Sequence, residues 1–162
     1  MHRHLLYFVY LIGLITVGKG FLSAQNPKIK SLLDKAGLKY SVDSDGDFKL
    51  VFQDEDDKRS QLIFIMSAME TMGEEAIVEI WSPAYRRPEI SSEVLLKLLQ
   101  NSTNRKIGSW EVHKTSENLV AVFKAKIPLS SLTPAFLKAV CIGIATTADD
   151  MEEELSPGSD EF

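Results

Sequence analysis

Asp43-Ser44-Asp45-Gly46-Asp47 sets three carboxylates around one glycine, a composition that suits a calcium loop. An EF-hand loop runs D-x-[DN]-x-[DN]-G and closes on a bidentate Glu at position twelve. Here Gly46 precedes the third acid. Position twelve counted from Asp43 is Asp54, and no helical pattern flanks the run. The neighbours favour a hairpin. Tyr40 and Val42 alternate with Lys39, Ser41 and Asp43 before the turn, and Phe48, Leu50 and Phe52 alternate with Asp47, Lys49 and Val51 after it. A two-residue Asp45-Gly46 loop would put Tyr40 and Val42 on the face opposite Phe48 and Leu50. A three-residue Ser44-Asp45-Gly46 loop sets Val42 against Phe48 and Tyr40 against Leu50, so all five large apolar side chains share one face. That loop needs φ > 0 at Gly46, a type I turn with a G1 bulge. Asp43 and Asp47 are then expected to face solvent side by side, where a cation could relieve their repulsion.

Other chemistry-bearing residues are sparse. Beyond residue 24 the single histidine is His113, on a strand position facing away from Trp110 and Val112. One histidine builds no zinc site. There is no G-x-S-x-G elbow, no G-x-G-x-x-G and no P-loop. The carboxylate runs at 54–57 and 152–154 read as solvated faces. The one cysteine, Cys141, lies among Ala139, Val140, Ile142 and Ile144 and reads as a buried, inert thiol. No catalytic residue, metal ligand or cofactor is expected. Binding chemistry is better represented. Trp81, Tyr85, Arg86 and Arg87 lie close together, and Trp, Tyr and Arg dominate interface hot spots. They are the candidate partner-binding residues, with the alternative that Trp81 is core and the arginines offset an acidic surface. An exposed sheet face or edge able to take up an extended peptide is a second candidate.

The elements that must hold these residues can be read from period and punctuation. Asn26-Pro27 starts a helix whose stripe is Ile29, Leu32, Leu33 and Ala36, stopped by Gly37. After the hairpin comes the charged loop 53–60. Residues 61–69 form a strand apolar on both faces, hence central. A turn at 70–75 leads to a strand at 76–82, and the prolines of 83–89 mark an irregular connection. Ser91 or Ser92 caps a helix with the apolar stripe Val94, Leu95, Leu98 and Leu99, ending around Asn101 to Asn104. Strands follow at 107–115 and 119–127, with Lys124 and Lys126 on the polar face of the second. Thr133-Pro134 opens the last helix, running to about Leu155, with Phe136, Leu137, Val140, Ile144, Ala148, Met151 and Leu155 on its buried side. Its acidic C-terminal turns oppose the macrodipole, so fraying is expected, followed by a disordered acidic tail at 156–162. The order is αββββαββα. Strands on short turns with segregated helices make an α+β fold with an antiparallel sheet.

The 162 residues suit one domain, assigned to 25–155. The net charge of −5 and the lack of a basic stripe argue against nucleic acid as a partner. His2-Arg3-His4, the uncharged run Leu5–Gly18 and the small residues near Ala24 have the grammar of a signal peptide at 1–24. Cleavage before Gln25 predicts an exported, periplasmic or secreted protein, with no membrane contact after cleavage. The alternative is an uncleaved inner-membrane anchor through residues 5–24.

Four pieces in order resemble the YbjN family of proposed bacterial sensory-transduction regulators. They are Gly37-Leu38-Lys39-Tyr40 with Asp45-Gly46-Asp47-Phe48, the helix Leu95-Leu96-x-Leu98-Leu99-x-Asn101, Gly108-Ser109-Trp110-Glu111-Val112, and Ile127-Pro128-Leu129 with the final helix and Ala148-Asp149. The likeness spans about 30–155. It implies the fold of the small type III secretion chaperones and a homodimer, and it carries no catalytic or ligand residues. The expectation is therefore a non-enzymatic module that binds a protein or peptide. The alternative is a small-ligand or cation sensor built on the acidic turn at 43–47.

Overall fold

The computed structural model describes residues 25–53 and 59–162. The expected signal peptide at 1–24 and the acidic run at 54–57 lie outside the described residues. Among those described, no helix is long and apolar enough to cross a membrane.

Helix α1 (Pro27–Ala36) begins as the sequence predicts. The Asn26 side chain accepts from the amides of Lys28 and Ile29, and Gly37 closes the helix in the left-handed conformation at φ 67°. The hairpin pairs β1 (Ser41–Val42) with β2 (Phe48–Gln53), Val42 opposite Phe48, and Gly46 sits at φ 85°. Parity therefore chose the turn correctly. Strand β3 (Ser60–Ile65) pairs with β2 on one side and with β5 (Glu75–Arg87) on the other, the central place expected of it.

The region after β3 departs from the sequence reading in two ways. A short strand β4 (Glu70–Met72) takes over from β3 along the same edge of β5. Its three residues are all exposed, so no apolar alternation marked it. Strand β5 also does not end at Ser82. It runs on through Pro83 to Arg87, paired with β7 (Leu119–Pro128) along its whole length, with a bulge between Pro83 and Tyr85. The bulge and two side chains make a proline tolerable here. Ser82 Oγ donates to the Leu62 carbonyl, and Gln61 Nε2 donates to Ser82 Oγ and to the Pro83 carbonyl. Side chains thus bridge β3 and β5 where the backbone ladder stops.

Strand β6 (Ser109–Lys114) pairs with β7 and ends the sheet, whose order is β1-β2-β3-β5-β7-β6. Every pairing is antiparallel. Before β6, Gly108 holds φ 82°, and a Cβ there would meet the Lys124 carbonyl at 2.8 Å. Only glycine fits this entry to the strand.

The long helix α3 (Pro134–Leu155), capped by Thr133 Oγ1 on the Phe136 amide, lies over β3, β5 and β7, and α1 packs against α3. The core between helices and sheet includes Ile29, Leu33, Phe48, Leu50, Ile80, Phe123 and Ile144. Helix α2 (Ser92–Ser102), capped by Ser91, packs against β6 at the sheet's edge.

Candidate binding surfaces

The bulge in β5 decides where the four candidate partner residues go. Trp81 lies opposite Lys124, on the sheet face without helices. There its ring stacks on Phe64, centroids 4.5 Å apart, and meets His113 edge-on at 5.7 Å. One extra residue at the bulge reverses the alternation. Tyr85 and Arg87 consequently pair with Ala121 and Leu119 on the helix side, and Arg86 falls on the open side. Trp81 is therefore separated from Tyr85 and Arg87, although six residues or fewer divide them in sequence.

The open face carries a charged lattice beside its aromatic stack. Lys124 Nζ reaches Glu111 at 2.9 Å and Glu79 at 3.2 Å, and Lys126 reaches Glu79 at 2.9 Å. Partial burial works to raise both carboxyls. The lysine contacts outweigh it and hold Glu79 and Glu111 below the usual carboxylate range. Lys124 lies across the strands, bridging Glu79 and Glu111. His113 contacts Glu111 as well as Trp81.

The acidic turn is built as part of the frame. Asp43 Oδ1 accepts from the amides of Asp45 and Asp47, both at 3.0 Å. Asp47, expected in solvent, is only 7 % exposed. Its Oδ1 accepts from the Ser67 amide at 2.6 Å, while Ser67 Oγ donates to the Gly46 carbonyl. Burial raises the Asp47 carboxyl, the Ser67 amide pulls it back, and Asp43 and Asp45 push it up again. The turn is riveted to the chain leaving β3. Among the described residues, no group of three or more His, Cys, Asp or Glu side chains is placed to hold a metal. Cys141 is fully buried in α3, and burial pushes its thiol up to about 12.

Three surfaces carried little or no sequence signal. The first is helix α2. Its stripe was expected to be core, yet only Leu98 is buried. Leu95, Leu96 and Leu99 are 36 %, 56 % and 62 % exposed. Helix α2 sits at the rim, where one line of side chains is covered and the rest is not. Trp110 fixes it there, donating from Nε1 to Asn101 Oδ1 and from its amide to Ser102 Oγ.

The second is Arg59, which contacts three carboxylates of the last turns of α3. Its guanidinium lies 2.8 Å from Asp149, 2.8 Å from Glu153 and 3.6 Å from Glu152. This cation answers the unfavourable macrodipole, and the helix continues to Leu155, the end expected of it.

The third is the tail. Residues 156–162 are docked where a disordered segment was expected. The Ser156 amide closes α3 on the Glu152 carbonyl. Arg59 donates to the Ser159 carbonyl, Ser60 contacts the Asp160 carboxylate through amide and hydroxyl, and Arg87 contacts Glu161 and Ser156 Oγ. The Phe162 ring lies 5.3 Å from the Arg86 guanidinium. Acidic residues that composition assigned to solvent find cations on the fold.

Comparison with known proteins rests on shape. No family model and no curated protein matches the sequence. Among solved structures, the crystal structure of YbjN from E. coli, a proposed transcription regulator, superposes with a TM-score of 0.50. The match covers 78 % of this chain and 89 % of that one. The chain has the fold of YbjN. Identity is 12 %, so the likeness is one of architecture. The YbjN-like fold implied by the four sequence pieces is thereby found.

Proposed function

We propose that the chain is a non-enzymatic, exported protein-binding module that works as a homodimer. The observation that carries this reading is the leucine face of α2. Leu95, Leu96 and Leu99 stand exposed on one helix at the sheet's rim. Contiguous exposed apolar side chains of this kind mark interaction sites. Strand β6 beside them is an edge strand, with β7 its one pairing partner among the described residues. An edge strand offers unpaired backbone groups to a partner. A second copy meeting β6 and α2 about a two-fold axis would cover both exposures at once. Two acidic chains also repel, which favours contact through an uncharged patch.

The titratable side chains support a binding role over a catalytic one. Asp43 and Asp47 serve backbone amides, Glu79 and Glu111 serve lysines, and the Cys141 thiol is buried and neutral. Export rests on the run Leu5–Gly18 and the small residues near Ala24.

Light scattering on protein recovered after export in a bacterial host, with its N-terminus sequenced, tests the reading. A start at Gln25 or Asn26 and a mass twice that of the mature chain are expected. Leu96→Glu with Leu99→Glu should halve the mass and leave the circular dichroism unchanged. A wild-type mass of one chain would overturn the dimer. An intact N-terminus in the membrane fraction would replace export with anchoring through residues 5–24.

A further inference from the structure

We infer that the surface under residues 159–162 is a recognition site for acidic peptides that carry an aromatic residue, and that the chain's own tail holds it in the manner of such a ligand. The inference rests on the reading of the chain as a protein-binding module, but it concerns a surface other than the leucine face.

Arg59, through Nη1, takes the main-chain carbonyl of Ser159 at 2.7 Å, a contact that any residue could supply. Asp160 places its carboxylate at the Ser60 amide, 3.2 Å away, with the Ser60 hydroxyl also in range. Glu161 meets Arg87 Nη1 at 2.9 Å, and its own amide donates to Glu152 Oε1. Phe162 presents its ring to Arg86. Carboxylate, carboxylate, aromatic is thus matched by a strand-end amide and hydroxyl, a guanidinium and a second guanidinium. The receptor side is pre-arranged. Arg87 lies over the Tyr85 ring at 4.5 Å, and Arg59 is held by Asp149 and Glu153. Arginines oriented in this way suit carboxylate recognition, because the planar fork is fixed before the ligand arrives.

The tail is a weak occupant. Pro157, Gly158 and Asp160 are exposed, and Ser159, Glu161 and Phe162 are half-exposed. Little apolar area holds it down, and its ion pair, Glu161 with Arg87, is partly exposed and contributes little. A tethered segment competes through effective concentration, of millimolar order for a short link, with no need for strong contacts. A partner peptide of the same chemistry with a larger apolar residue would displace it. The Tyr85, Arg86 and Arg87 cluster read from the sequence then belongs to this site, while Trp81 does not.

The test uses the full chain and a dye-labelled peptide, Ser-Pro-Gly-Ser-Asp-Glu-Phe with a C-terminal amide, followed by fluorescence anisotropy. A chain carrying Asp160→Lys and Glu161→Lys loses its own occupant and should bind the peptide at least tenfold tighter than wild type. Adding Arg87→Ala to that chain should weaken binding at least fivefold. A peptide with Asn and Gln in place of Asp and Glu should not bind. Equal affinity for wild type and the charge-reversed chain, or equal binding of the neutral peptide, would overturn the site. Should the charge-reversed chain not fold, hydrogen exchange on wild type decides. Millimolar peptide must then speed exchange at the Glu161 amide, and unchanged exchange would overturn the proposal. Peptide binding by a chain that weighs as a monomer would sink the dimer and leave this site standing.

Discussion

Asp47 illustrates what a residue type does and does not say. Its place in an acidic turn was legible, as was the turn's length, because side-chain parity left one solution. Its burial was not legible, because the partner that buries it, Ser67, lies twenty residues away. A carboxylate at a hairpin end looks solvated until the strand that follows folds back over it. The consequence can be measured. Asp47→Ala leaves the Ser67 amide without an acceptor, and a buried unpaired donor costs about 1–3 kcal/mol. Asp47→Asn keeps an oxygen there and should cost less. The two side chains also differ in pH dependence. The Asp47 carboxyl is raised in the fold by burial and by Asp43 and Asp45, so folding favours its protonated form. Its contribution to stability is full below the ordinary aspartate range and is lost as pH rises through the raised value. Urea midpoints of wild type should therefore fall relative to Asp47→Asn as pH is brought from 4 to 7. A constant difference between the two across that range would show that Asp47 does not titrate with folding.

Elements with strong end signals were legible to the residue, and elements defined by a neighbour were not. Asn26-Pro27 and Thr133-Pro134 fixed the starts of α1 and α3, because a cap and a proline act within one turn. Strand β5 runs past Ser82, where the sequence predicts its end. Pro83 cannot donate to a ladder, and only the Gln61 and Ser82 side chains show why no donor is missed. Helix α2 was found, but period alone does not reveal how much of a stripe has something to cover it. Position at the sheet's rim decides that, and the rim is a property of the assembled sheet. The stripe's two halves should behave differently on truncation. Leu98 is buried against the core, so Leu98→Ala should destabilise by about 2–4 kcal/mol through lost burial and the cavity left behind. Leu99 is mostly exposed, so Leu99→Ala should change the stability of the isolated chain by less than about 0.5 kcal/mol. Guanidinium unfolding at low protein concentration makes the comparison. Similar losses for both would mean that α2 packs with another face inward.

At the scale of the whole molecule, the fold class and the antiparallel sheet followed from strands on short turns, and the superposition on YbjN bears the fold out. The way the ends of the fold close on one another did not follow, since it depends on contacts ninety and more residues apart. Arg59 makes most of that closure. It stands where the chain enters β3 and reaches the last turns of α3 and the tail together. Its side chain is 14 % exposed and that of Glu152 only 1 %. Burial raises the Glu152 carboxyl, against the pull of the Glu161 amide and Arg59. Folding has therefore placed an acid where burial disfavours its charge and the Arg59 cation only partly offsets that cost. Removing one member should be far worse than removing both. Arg59→Leu leaves Glu152 facing Asp149 and Asp160 without its guanidinium, and a broken buried pair costs about 3–5 kcal/mol. With Glu153 and Asp149 partly in water, the lower end of that range is expected. The double variant Arg59→Leu with Glu152→Leu removes the stranded charge and should regain most of the loss, because apolar replacement of a buried pair is close to neutral. Chemical denaturation of the two single variants and the double closes the cycle. Additive losses would mean that Arg59 does not act through Glu152, and that the clasp is a surface feature without a buried centre.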